Sequence, residues 1–359
     1  MVKIAITGST AGVGFEACVQ LCAVPEVTGL VITSRSASNA AAAIEKLKVE
    51  TGKDASFFSY VVVDLEDLPS IIAAIQAFPM VDRICLNGSQ LGRCKIHPQS
   101  GVVDAMTSVL GHTVLTDGLM KAGKFSPGAR IVHVGGEIAR PMWTFYGLLP
   151  FYCTFTEHDL DEAISKNYWD PCCCLPVRMQ LGDYKNTKIV GPLFYAGVAA
   201  EQSEIHVMSV SPGAMHTGLF DRGLNPLSCL VKTAPNLVWG LFSCLQVTHP
   251  PKDGASRYVQ VLTGEPKFPA GAYAMSGRNP PPCCCCLWGA IGSDMVDNRK
   301  YRGYECCGSK YLDDPELNRA TVSKMRNYQA RWFEACASGD PNLGVPKLPE
   351  QMQRWATMH

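Results

Sequence analysis

Tyr184 and Lys188 stand four residues apart in Tyr184-Lys185-Asn186-Thr187-Lys188, a spacing that puts a phenol and an ammonium on one helix face. A tyrosine hydroxyl titrates at about 10 and is a poor acid or base near neutrality. A neighbouring cation favours the phenolate and lowers that value. Such a phenol can give a proton to a carbonyl oxygen as hydride arrives from a nicotinamide. The same spacing is common on plain helix surfaces, so the pair needs a cofactor turn and a sheet to give it work.

A candidate turn lies at the start of the chain. Thr7-Gly8-Ser9-Thr10-Ala11-Gly12-Val13-Gly14 follows a β-branched run and opens a helix pattern. Glycines at 8, 12 and 14 permit a tight turn, a close backbone approach to a pyrophosphate and a close helix–strand contact. The helix N-terminus adds open N–H groups and a positive dipole end. Gly8, Ser9, Thr10, Gly12, Val13 and Gly14 are therefore the candidate phosphate cradle, against the plainer reading of a tight βα turn with no ligand. Arg35 follows the second predicted strand, where an acidic residue would bind a ribose 2′-hydroxyl and an arginine pairs with a 2′-phosphate. That choice favours NADP(H) over NAD(H), with a solvated surface arginine as the alternative. Asp64-Leu65 and Asn87-Gly88 end the third and fourth strand patterns, positioned to flank an adenine and to line the floor beneath a ribose. Both also fit ordinary turn chemistry.

The elements that must position these residues alternate. Val2–Thr7, Gly29–Thr33, Phe57–Val63, Asp82–Leu86 and Arg130–Val134 read as strands, with helices predicted over 13–24, 37–50, 67–77 and 101–123. A helix near 184–202, a strand at Glu204–Val210, a helix at Asp253–Thr263 and a strand at Ala272–Ser276 continue the series. The pattern predicts an α/β fold: a doubly wound, Rossmann-type parallel sheet with helices on both faces. One domain spans 1–276, with an insertion at 137–182. Residues 277–312 read as irregular, and a last helix is predicted over Asp314–Ala335 within a Cys-rich appendage, 277–359.

Composition narrows the function. Lys and Arg number 32 against 32 Asp and Glu, so nothing supplies the clustered positive charge that nucleic-acid binding needs. The 359 residues are 47% apolar and 18% charged, enough to bury a large core. Met1-Val2-Lys3-Ile4 runs straight into a strand pattern with no apolar leader, and no stretch is long and apolar enough to span a bilayer. The expectation is a soluble, intracellular chain with reduced thiols. Nine of the 17 cysteines fall in the runs Cys172–Cys174, Cys283–Cys286 and Cys306–Cys307. Adjacent cysteines do not match zinc or iron–sulfur spacing, and the histidines show no ligand motif, so no metal is expected.

Taken together, the turn at 7–14, Asp64-Leu65, Asn87-Gly88, Tyr184 with Lys188, and Pro212-Gly213 with Thr217 resemble the short-chain dehydrogenase/reductase family. The resemblance covers residues 1–276. It implies Tyr184 as proton donor, Lys188 as pKa tuner and ribose ligand, and Pro212, Gly213 and Thr217 over the nicotinamide. Within the family, Leu110-Gly111-His112, the 184–188 segment and Pro212–Phe220 are most similar to the light-dependent protochlorophyllide reductases and the retinol-dehydrogenase-like members. Only that likeness suggests a plastid. Three positions depart from the pattern: Gly136 stands where the family carries Ser or Thr, Ser108 where it carries a helix-four Asn, and Ala214 where the subgroup has Cys. Losing an oxyanion donor costs roughly a hundredfold or more in rate.

Two readings follow. The first is an NADP(H)-dependent oxidoreductase acting on a bulky apolar carbonyl or conjugated alkene. The second is a catalytically weakened or inactive subunit serving as scaffold in a larger assembly. Residues 142–155, rich in aromatics, are read as a lid over an apolar substrate, a docking patch on a membrane surface or partner protein, or satellite core, and 227–245 falls where the resemblance implies a substrate lid, with contact to a membrane surface or partner as the alternative.

Overall fold

Val2–Ile6 forms the first strand because its side chains alternate between two apolar layers. Ile4 and Ile6 enter one core and Ala5 the other. A computed structural model describes residues 1–90, 92, 95–136, 139, 155–166, 176–213, 215, 250–276, 295–297, 299 and 310–339. Its strands are β1 (Val2–Ile6), β2 (Val27–Ser34), β3 (Phe58–Val62), β4 (Val81–Leu86), β5 (Phe125–Val134), β6 (His206–Val210), β7 (Tyr273–Ser276) and β8 (Met295–Asp297). Its helices are α1 (Gly12–Cys22), α2 (Ala37–Thr51), α3 (Leu68–Ala77), α4 (Asp104–Lys121), α5 (Glu157–Ser165), α6 (Pro176–Glu201), α7 (Pro251–Leu262) and α8 (Pro315–Ser338).

The strands form one sheet in the order β3-β2-β1-β4-β5-β6-β7-β8, parallel except for the antiparallel β7–β8 pair. This is the doubly wound α/β fold expected from the alternation. Helices α1, α2 and α7 cover one face, and α3, α4, α5, α6 and α8 the other. Strand order reverses between β1 and β4, and ligands of such sheets bind in the crevice beyond the strand ends at that point.

Several elements differ from the sequence-based expectation. β5 opens at Phe125, not Arg130, because Phe125 pairs with Val81 across a register shift. α6 opens at Pro176, not near 184, so the end of the 137–182 segment is helix. α5 was unforeseen. Thr156 and Asp159 cap it reciprocally: the Asp159 carboxylate accepts the Thr156 N–H at 2.8 Å, and the Thr156 hydroxyl accepts the Asp159 N–H at 3.4 Å. β8 falls in the stretch read as irregular. Its three residues are too few to leave a period.

The C-terminal helix belongs to the main core. Trp332 and Met325 on α8 are fully buried, and the helix packs chiefly along α6. A Cβ on Gly197 of α6 would stand 2.5 Å from Val322 Cγ2 and 2.7 Å from Asn318 O, so the helices cross closely there. Arg326 on α8 donates to Glu201 on α6 at 2.8 Å and faces the buried Asp117 of α4 at 3.6 Å. Toward the strand ends away from the crevice, two arginines of the central strands hold the end of α7. Arg130 bonds the carbonyls of Val261 and Gly264, and Arg83 bonds Leu262 O and the Glu26 carboxylate. The Gly264 N–H and Arg83 together lower the Glu26 carboxyl.

Among the described residues no helix is long and apolar enough to cross a membrane, and no group of His, Cys, Asp and Glu could hold a metal ion. Cys18, Cys22, Cys85 and Cys336 are buried free thiols. The three cysteine runs, residues 142–154, Ala214, Thr217 and residues 227–245 lie outside the described residues. Phe155, the one described residue of the 142–155 stretch, is buried against Tyr311.

Candidate functional site

The turn after β1 is shaped by its glycines. Gly8 and Gly12 have φ values of 65° and 59°, which side chains rarely adopt. A Cβ on Gly14 would collide with the Gly8 carbonyl, whereas one on Gly12 would meet nothing within 4 Å. The backbone at Gly12 thus faces open space. α1 starts there behind Ala11, with no side-chain cap, which leaves its first-turn N–H groups available to an anion. A dinucleotide pyrophosphate fits this cradle. The side chain of Ser9 is used elsewhere: its hydroxyl accepts the Thr33 N–H at 2.9 Å and pins the turn to β2. Val13 packs its side chain into the core beneath, and Thr10 stays partly exposed.

Arg35 is exposed directly after β2, beside Ser36, whose hydroxyl caps α2 by accepting the Asn39 N–H at 3.3 Å. Asp64 folds its carboxylate onto the Glu66 N–H at 3.0 Å. Leu65 lies between Gly88 and α4, where a Cβ on Gly111 would collide with the Leu65 carbonyl. Asn87 braces the crevice. Its Nδ2 donates to Thr7 O at 3.1 Å and Gly8 O at 3.2 Å, and its Oδ1 accepts from Tyr258 on α7 at 2.8 Å. Gly88 donates its N–H to Thr7 Oγ1 at 3.0 Å. After β6, Pro212 precedes Gly213, whose N–H reaches Ser211 Oγ at 3.2 Å. Arg257 donates to Ser211 O, also at 3.2 Å.

Tyr184 and Lys188 share a face of α6, with the Lys188 ammonium 5.1 Å from the centre of the Tyr184 ring. Lys188 Nζ donates to Val134 O at 3.1 Å, which sets the pair against the end of β5. Tyr184 as a whole is partly buried. Burial raises the Tyr184 phenol, opposite to the lowering expected from a cationic neighbour. Desolvation decides the direction because the cation lies over the ring and not at the oxygen. Burial also lowers Lys188 to about 8. The phenol is therefore protonated at physiological pH.

Ser108 does not reach the crevice with its hydroxyl, which donates to Ala105 O at 3.1 Å within α4. Gly136 offers only backbone. Its N–H donates to the Tyr273 hydroxyl at 2.7 Å, and that hydroxyl donates to its carbonyl at 2.9 Å. A Cβ on Gly135 would collide with the Tyr273 hydroxyl, so the phenol from β7 fills the space a side chain would need. His133 on β5 is buried, with its ring stacked 4.9 Å from Tyr195 of α6, and Gly191 closes against its edge. Burial, with the charge of Lys188, holds both His133 and His112 well below the usual imidazole range.

Reasoning from sequence passed over Tyr258, Tyr273 and His133, and attached no role to His112. The available signal was in their partners. Gly135 and Gly191 stand where a side chain would strike the rings of Tyr273 and His133.

A glycine turn at the reversal point, an Asn brace beneath it and a Tyr–Lys pair on the long helix after β5 are set on the fold of the short-chain dehydrogenases. No family model matches this chain, and no curated protein does. Among solved structures, it superposes on a putative uncharacterized protein from Mycobacterium Paratuberculosis with a TM-score of 0.59 and 16% identity, over 91% of this chain and 93% of that one. For the short chain dehydrogenase from Shigella flexneri the TM-score is 0.51 and the identity 17%, covering 78% and 93% of the two chains. L-Sorbose reductase from Gluconobacter frateurii, complexed with NADPH and L-sorbose, gives 0.50 and 17%, covering 76% and 93%. At these identities the likeness is one of fold.

Proposed function

We propose that the protein is an NADP(H)-dependent oxidoreductase of the short-chain dehydrogenase/reductase type, acting on a bulky apolar carbonyl or conjugated-alkene substrate. The observation that carries this reading is the convergence of Tyr184, Lys188 and the Val134 carbonyl at the end of β5, in the same crevice as the open turn at Gly12. Gly8, Gly12 and Gly14 shape the pyrophosphate cradle, Asn87 holds its carbonyls, and Arg35 at the head of α2 receives a 2′-phosphate. L-Sorbose reductase, which holds NADPH on the same fold, supports the choice of cofactor. When bound, the nicotinamide supplies or takes the hydride. Tyr184, kept protonated by burial, donates its proton to the substrate as negative charge develops. The Lys188 ammonium, fixed by Val134 O, stands over the ring to stabilise the phenolate that remains. With glycine at 136, the reacting end of the substrate meets no side-chain hydroxyl there, which suits an apolar ligand.

The test is NADPH fluorescence titration followed by turnover of hydrophobic ketones, aldehydes and enones. The expected result is NADPH binding with turnover lost in Tyr184→Phe. A chain that does not bind NADPH, or a Tyr184→Phe variant as active as the wild type, would overturn the reading.

A further inference from the structure

The residue on α4 that reaches the cofactor end of the sheet is His112, one turn beyond Ser108. Its Nε2 lies 2.8 Å from Thr7 Oγ1. Thr7 Oγ1 already accepts the Gly88 N–H at 3.0 Å, so its own proton must go to another acceptor. His112 Nε2 at 2.8 Å and Cys85 O at 3.4 Å are both in range, so the hydroxyl either donates to the imidazole or donates to Cys85 O and accepts from Nε2–H. In either arrangement the imidazole is neutral, as its burial favours, and its Nε2 is tied to Thr7. The imidazole gets this close because α4 lies directly on the 64–65 segment at Gly111. The ring is buried, and water does not compete for its nitrogen.

The contact joins parts of the site that are far apart in sequence. Thr7 and Gly8 are also tied to Asn87, and Asn87 to Tyr258 on the opposite face of the sheet. A polar brace therefore runs from α7 through the turn to α4, and His112 is its α4 end. Lys188 acts electrostatically on the same imidazole, which places the brace beside the catalytic pair.

We infer that His112 is a positioning residue for the dinucleotide: through Thr7 it holds the Gly88 amide and the first turn in the geometry that receives ribose and pyrophosphate. The identity of the ligand rests on the oxidoreductase reading; the brace itself does not. The test has two arms. In the first, NADPH affinity is measured for Thr7→Val, His112→Phe, His112→Gln and the Thr7→Val/His112→Phe double variant. His112→Phe is expected to weaken binding about tenfold, Thr7→Val at least as much because it also removes the acceptor of the Gly88 N–H, and the double variant no further than Thr7→Val, because both remove the same His112–Thr7 contact. His112→Gln, whose side-chain amide can accept from or donate to Thr7, recovers most of the affinity. In the second, amide hydrogen exchange at Gly88 is followed in the cofactor-free chain, with exchange expected to rise about tenfold in His112→Phe and in Thr7→Val. Should His112→Phe fail to fold, Thr7→Val and His112→Gln carry both arms. Wild-type NADPH affinity in His112→Phe, or losses that multiply in the double variant, would overturn the inference. So would unchanged Gly88 exchange. A wild-type chain that binds no NADPH refutes the oxidoreductase reading instead, and the exchange arm then decides the brace alone.

Discussion

Replacing Lys188 by methionine should make the cofactor-free protein more stable at neutral pH, although it removes a member of the proposed catalytic pair. Lys188 is 4% exposed, and its one hydrogen-bond partner among the described residues is Val134 O. Burial lowers its pKa from 10.5 to about 8. Each tenfold loss of proton affinity is about 1.4 kcal/mol, so the buried ammonium costs about 3 kcal/mol at pH 7. The folded state binds this proton less tightly than the unfolded chain. The penalty is therefore complete below pH 8 and fades as pH rises from 8 toward 10.5, with about 2 kcal/mol of it gone at about pH 9.5. Methionine matches the length of the stem and carries no charge. It leaves the Val134 carbonyl without its donor, at about 1 kcal/mol. Lys188→Met should thus gain about 2 kcal/mol at pH 7 and close to nothing at about pH 9.5. Urea unfolding of both proteins at the two pH values, under reducing conditions, gives the difference at each pH and cancels the other titrating groups. A variant less stable than wild type at pH 7, or a difference independent of pH, would refute the reasoning.

Two further predictions concern the frame around the site. Alanine normally gains about 1 kcal/mol over glycine inside a helix, but Gly197→Ala must push Val322 and Asn318 away and should instead cost about 1–3 kcal/mol. Denaturant midpoints decide the sign, and a stabilised Gly197→Ala would contradict the close crossing of α6 and α8. Tyr273→Phe leaves the Gly136 N–H without its partner and the Gly136 carbonyl with the Ala139 N–H alone, for a loss of about 1–3 kcal/mol and faster amide exchange at Gly136. Unchanged exchange there would show that the phenol does not hold the end of β5.

Local pattern carries far in this chain. The glycines at 8, 12 and 14, the four-residue step from Tyr184 to Lys188 and the alternation of β-branched runs with helical periods each act over one or two turns of chain. They predict the parallel sheet and the two ends of the crevice, because backbone conformation and helix facing are set by neighbours in sequence. What lies between those ends was decided by tertiary structure. The hydroxyls of Ser9 and Ser108 are taken by backbone carbonyl or amide groups, so their residue types alone misdescribe what they offer a ligand. His112 meets Thr7 across 105 residues, and Tyr273 meets Gly136 across 137. Separations of that size leave no periodic trace. The direction in which Tyr184 titrates was also beyond local reading. A lysine four residues on predicts a lowered phenol, but burial is a property of the whole packed chain, and here it prevails.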